Sequence, residues 1–233
     1  MVTSNFTDIE RTTHYLMLNS YFLEDTSLWY GQTGIALAFY DYFIYTENQI
    51  YSDFVSFLID NISKRINRDR VLSFASGLLG IGWGIEHLIQ KGFIKGESVE
   101  ICEEIDQIIM EFNLERISDL SLENGIEGLL HYVIYHLQGA IRQESKLPFD
   151  NEYFYDLYKL CIKLEKQDIS ESLDLLSKMF KTFYLSMTLD NYKFSTIDFT
   201  AVTSKNLEKK ISFYPLGLRN GLAGILLYNI WTK

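Results

Sequence analysis

The sequence predicts an all-α protein, with about five helical hairpins stacked into an α/α toroid or an open arc. Three observations carry that expectation. Proline occurs only twice in 233 residues, so a common helix breaker is nearly absent. A G-x-x-G pattern followed by an apolar run of helical length recurs four times. Amphipathic stretches with helical periodicity fill the intervals between these runs.

The four glycine segments are "LWYGQTGIALAFYDYF", "FASGLLGIGWGIEHLI", "LENGIEGLLHYVIYHL" and "LRNGLAGILLYNIWTK". Their first glycines, Gly31, Gly77, Gly125 and Gly221, are 46, 48 and 96 residues apart. The last interval is twice 48, which places a repeat without its glycines near residue 173. Each run is apolar nearly all round, and such a helix must be buried on several sides.

Three intervening segments have a different character. "SDFVSFLIDNISKRI" (52–66) puts Phe54, Phe57, Leu58 and Ile62 on one helical face. "ESVEICEEIDQIIMEF" (97–112) does the same with Val99, Cys102, Ile105, Ile109 and Phe112, and "NEYFYDLYKLCIKLEK" (151–166) is a third. Stacking these pairs gives two layers, amphipathic helices outside and apolar helices inside. Residues 1–233 then form one domain, interrupted at 188–218, where β-branched and polar residues show no helical period. That stretch reads as a long loop with short strands or one short helix.

Composition bounds the function. The net charge of −10 and the absence of a Lys/Arg stripe exclude nucleic acid as a partner. No apolar stretch approaches the ~20 residues of a membrane helix, and "MVTSNFTDIERTTHY" does not read as a signal peptide. Cys102 and Cys161 form neither a disulfide framework nor a CxxC, so the expected location is the cytoplasm.

A dinucleotide or phosphate loop needs a preceding strand and a longer glycine fingerprint, and no copy here has either. Packing explains the glycines better: Gly31, Gly34, Gly77, Gly80, Gly125, Gly128, Gly221 and Gly224 let a loop turn sharply and helices approach. Helix N-termini gathered at one end carry unpaired N–H groups and partial positive charge. That end is a concave site suited to an anion or a peptide carboxylate, with Tyr30, Gln32, Ser76, Glu123, Asn124, Arg219 and Asn220 as binding candidates.

The repeated G-x-x-G helices, "GLLGIGWGIEHL" and "NGLAGILL" above all, resemble the lanthionine synthetase C-like (LanC-like) family. The resemblance covers nearly the whole chain except 188–218 and implies a double toroid of inner and outer helices, longer than this chain. It also implies a role in maturing ribosomally made peptides. Bacterial members add a cysteine thiol to a dehydroamino acid, using a zinc ion held by cysteines and a histidine. Zinc suits that step because it stabilises a thiolate near neutral pH and keeps a position open for substrate.

The family's metal motifs, W-C-Y-G and C-H-G, place the ligands one and two residues before the repeat glycine. Here those positions hold Trp29, Ala75, Glu123 and Arg219, then Tyr30, Ser76, Asn124 and Asn220. None is cysteine or histidine. The resemblance therefore implies a family member with no metal site and no cofactor. Its expected partners are a precursor peptide, a peptide-modifying enzyme, or a second copy completing the ring.

Other residues offer alternative chemistry. His131 and His136 lie five apart on the third apolar helix, off the i, i+4 spacing that aims two ligands at one metal. They and His87 read as core or pocket histidines, and Cys102 and Cys161 as small buried hydrophobes. Asp41, Glu86 and Glu127 each interrupt an apolar helix, where a carboxylate is costly unless paired or facing water. Glu127 stands in a first turn, where the helix dipole favours its charge. Asp41 and Glu86 sit ten and nine residues after their glycines, the depth at which an acid and a base would face each other in an α/α-toroid glycosidase. A zinc-independent cyclase or hydrolase would thus draw on Asp41, Glu86 or His131. The bland alternative pairs Glu86 with His87 or a tyrosine.

Overall fold

The computed structural model describes residues 8–66, 71–202 and 210–232. Among them are ten α-helices and no strand. In chain order the helices are α1 (Asp8–Ser20), α2 (Gln32–Thr46), α3 (Gln49–Ser63), α4 (Leu78–Gln90), α5 (Ser98–Ile101), α6 (Glu103–Met110), α7 (Ile126–Arg142), α8 (Asn151–Leu164), α9 (Glu171–Ser186) and α10 (Leu222–Trp231). Short 3-10 turns cover Leu114–Arg116, Thr196–Phe199 and Ile211–Phe213.

Two compact units result. The first comprises 1–66 with 194–233, and the second 67–193. In the first, α2 packs on α3 and α10, and α1 on α10. In the second, the apolar helices form a row in which α7 touches α4 and α9, with α5 on α7, α6 on α4 and α8 on α9.

The four glycine runs all start helices, at α2, α4, α7 and α10. The repeat without glycines is α9, whose N-cap is Ser170, 45 residues after Gly125 and 51 before Gly221. Two capping chemistries separate the helix types. Asn48, Asp150 and Ser170 cap α3, α8 and α9 with side-chain oxygens, each satisfying an orphan first-turn N–H. The glycine helices instead use their own loops. The first N–H of each donates to a carbonyl seven residues earlier: Gln32 to Asp25 (2.9 Å), Leu78 to Val71 (3.1 Å), Ile126 to Asp119 (3.0 Å) and Leu222 to Pro215 (2.9 Å).

That wrap explains the cap glycine. At Gly77 the backbone is extended (φ −130°, ψ −159°), a conformation open to any residue, so conformational freedom is not the requirement. Space is: a Cβ there would collide with the Val71 carbonyl oxygen and lie 2.7 Å from the Ser73 nitrogen.

Three expectations need correction. The segment 97–112 is not one helix; it is interrupted at Cys102, although Cys102 N–H still bonds to Ser98 O and Asp106 N–H to Cys102 O, both at 3.0 Å. Phe112, expected on the buried face, lies beyond the end of α6 and is exposed. In α3 the fully buried residues are Val55, Leu58 and Ile62, while Phe54 and Phe57 are half-buried and lie against each other. Helix α1, which the sequence reading did not single out, buries Thr12, Thr13, Leu16 and Ser20. In 188–218 the described residues form two 3-10 turns joined by irregular segments, and 203–209 lie outside the described residues.

Gln32 shows how a loop is tied down. Its buried amide donates to Ser20 O (3.1 Å) and Leu23 O (2.9 Å), joining the end of α1 to the start of α2. Gln32→Leu is expected to cost about 1–3 kcal/mol, because two hydrogen bonds worth about 0.5–1.5 kcal/mol each are lost. Urea unfolding checks this; an unchanged midpoint would show that water replaces the amide.

Candidate functional site

At the glycine ends, the residue just before each cap glycine is exposed: Tyr30, Ser76, Asn124 and Asn220. The residue two before varies. Trp29 and Ala75 are buried, Arg219 is half-buried and Glu123 is exposed. Gln32 is withdrawn into the core, so of the seven binding candidates it alone presents nothing outward. The expectation of unpaired helix N-termini is corrected in part, since each first N–H is taken by the loop wrap.

In the first unit, Arg219 lays its guanidinium over the Trp29 ring at 4.3 Å, and its backbone N–H donates to Trp29 O at 2.9 Å. Asn220 takes a left-handed φ of +53° and donates its N–H to Thr200 O. Four buried polar atoms here, on Thr26, Ser27, Trp29 and Gln32, have no hydrogen-bond partner among the described residues. Asp41 accepts from Trp231 Nε1 at 3.1 Å.

In the second unit two glycine loops are stitched together. The backbone N–H groups of Phe74 and Ala75 and the Ser73 hydroxyl donate to Glu123 O, and Ser73 Oγ also lies 2.9 Å from Asn124 Oδ1. Glu127, at the start of α7, accepts from the α9 cap Ser170 at 3.0 Å.

Further along the same helices lies a buried polar network. His136 of α7 places Nδ1 2.8 Å from Glu86 Oε2 and Nε2 2.9 Å from Asp106 Oδ2. Tyr132 donates to the other Asp106 oxygen at 2.6 Å, and Gln90 to the other Glu86 oxygen at 2.8 Å. The Ser98 hydroxyl donates to Glu86 and lies 3.0 Å from His136 Nδ1. Gly139 makes this approach possible, because a Cβ there would collide with Glu86 Oε1.

Carboxylates on both ring nitrogens fit a doubly protonated imidazolium. Burial alone would lower the His136 pKa, but hydrogen bonds and charge from Asp106 and Glu86 outweigh it and raise the value to about 9. Burial raises Asp106, against the pull of its bonds to His136 and Tyr132. Cys102 completes a group, with Glu86 and His136, whose ligand atoms lie within 4.8 Å of one another. Burial and the charges of Asp106 and Glu86 hold its thiol well above the usual range. With both ring nitrogens bound to carboxylates, the arrangement is a buried ion network. A cleft of about 280 Å³ opens beside it, with Asp106, Met110 and Phe149 in its wall.

The other histidines belong to a separate aromatic cluster. Tyr192, from the irregular run after α9, inserts its phenol between α4 and α7. Its hydroxyl lies 3.0 Å from Trp83 Nε1 and 2.6 Å from His131 Nδ1, and its ring stacks on Tyr135 at 4.8 Å. His87 meets the Tyr135 hydroxyl at 3.1 Å. Burial pushes the pKa of His131 and of His87 down to about 3, so both rings are neutral at pH 7; Lys91 adds to the effect at His87.

The structure thus sends His131 and His136 to different partners, as their spacing implies, and buries Cys102 and Cys161. It pairs Glu86 with His136 rather than with His87 or a tyrosine. Sequence reading missed Asp106, Ser98 and Tyr192. Asp106 did leave a signal: it sits four residues after Cys102 and one after Ile105, on the apolar stripe of its helix. Tyr192 left none, because its segment has no periodicity. No protein-family model matches the chain, and no curated protein matches it.

Proposed function

We propose that this chain is a LanC-like protein without zinc chemistry, which binds a peptide in the cytoplasm as a component of lanthipeptide-type maturation. The observation that supports this most is the repeat itself. Helix caps recur at 31, 77, 125, 170 and 221, and the four glycine caps share one loop wrap. Against that frame, the eight positions one and two residues before the cap glycines, where the family motifs place their ligands, carry no thiol or imidazole. Of the eight residues only Glu123 offers a good zinc-binding atom, and a single carboxylate without thiol or imidazole makes no zinc site there. The polar residues before the cap glycines stay exposed and suit hydrogen bonding to a peptide backbone. Glu86 and His131 are buried and engaged, which favours positioning over acid–base work for both.

The test is a fluorescence-anisotropy titration with a labelled precursor peptide encoded beside this chain. Saturable binding, weakened at least tenfold by a combined Ser76→Ala and Asn124→Ala change within the second unit, is the expected result. Thioether formation by the purified protein alone, with stoichiometric zinc, would overturn the proposal. So would failure to bind any neighbouring precursor.

A further inference from the structure

The run 188–195 forms neither helix nor strand and has one buried side chain, Tyr192; its neighbours Asn191 and Lys193 are exposed. A single buried anchor between exposed neighbours is how a bound peptide sits, and here the surrounding helices treat the segment as one. Gln138 of α7 accepts the Tyr192 backbone N–H at 3.1 Å and donates to the Asn191 side chain at 2.9 Å. Arg142, one turn on, donates to the same Asn191 oxygen at 3.0 Å. Reading backbone and anchor together is the logic of peptide recognition.

The slot is matched to a phenol. Trp83 offers only a donor, and His131, neutral because it is buried, offers an acceptor at Nδ1. The Trp83 N–H donates to the phenolic oxygen, and the phenolic O–H donates to His131. A tyrosine hydroxyl makes both bonds; a phenylalanine makes neither. Phe74, three residues before Gly77, packs on both Trp83 (6.0 Å) and His131 (5.6 Å) and so ties the slot to the glycine loop.

We infer that the slot between α4 and α7 is a tyrosine-reading site for an extended peptide, and that Tyr192 occupies it as an internal stand-in. The inference rests on the peptide-binding reading above and names the side chain recognised. An incoming tyrosine exchanges with Tyr192, so affinity is reduced by the fraction of molecules in which the slot is already filled.

Calorimetric titration of the full chain carrying Tyr192→Ala with the blocked peptide LDNYKFS, the sequence of 189–195, tests this. Binding is expected, at least tenfold tighter than to the wild-type chain, and at least tenfold tighter than that of the phenylalanine analogue LDNFKFS. If the variant keeps its circular dichroism and thermal transition but binds neither peptide, or binds both equally, the inference is overturned. Should that variant not fold, hydrogen exchange on wild type and Tyr192→Phe decides. Excess LDNYKFS should speed exchange of amides 189–193 in both, at lower concentration in the variant; no change in either overturns the slot. A chain that takes LDNYKFS but no precursor peptide would sink the maturation reading alone.

Discussion

Replacing His136 with alanine is expected to destabilise the protein by about 3–5 kcal/mol, the cost of leaving buried charge uncompensated. Glu86 and Asp106 are both buried and both lean on this one ring. Removing the ring leaves two carboxylates facing each other in a medium that solvates neither. The network also sets a pH dependence. The folded ring keeps its proton up to about 9, whereas an unfolded histidine releases it near 6.5. Its contribution is therefore complete below about pH 6.5 and is lost as pH rises through about 9. Urea unfolding at pH 7 and pH 10 should show wild type weaker at the higher pH, with a smaller slope in His136→Ala. Equal midpoints for wild type and variant at pH 7 would refute the role assigned to the network.

Gly77→Ala is the second large effect, at about 3 kcal/mol, the upper end for forcing atoms into a packed site. The added methyl meets backbone, the Val71 carbonyl and the Ser73 nitrogen, and not the yielding tip of a side chain. The wrap that caps α4 must open to admit it, and the Leu78 to Val71 hydrogen bond is lost with it. Gly92→Ala is the matched control. It has open space around it but a φ of +74°, so it should cost only the left-handed penalty of roughly 1–2 kcal/mol. Thermal unfolding of the two variants separates steric from conformational need; equal losses would mean that the loop wrap is not what the glycine protects.

Much of the fold was legible because helical periodicity and punctuation are local. The glycine runs start helices where the spacing places them, and the missing repeat appears as α9. The candidate site was legible only in part. Glu86 was marked as an anomaly by lying in an apolar run, yet its partner could not be read. That partner, His136, is 50 residues away in the chain, and which face of α7 meets α4 is decided by packing. The break at Cys102 was hidden for the same reason: a sound helical period runs through it.

What the sequence by itself determined is therefore the all-α class, the repeat period, and the absence of thiol or imidazole beside the cap glycines. These depend on residue identity and short-range geometry alone. Only the tertiary structure decided that loop carbonyls occupy the first N–H of each glycine helix, that His136 bridges two carboxylates, and that Tyr192 fills the slot between α4 and α7. Each joins groups distant in the chain or turns on atom-scale clearance, and neither property is carried by hydrophobic periodicity.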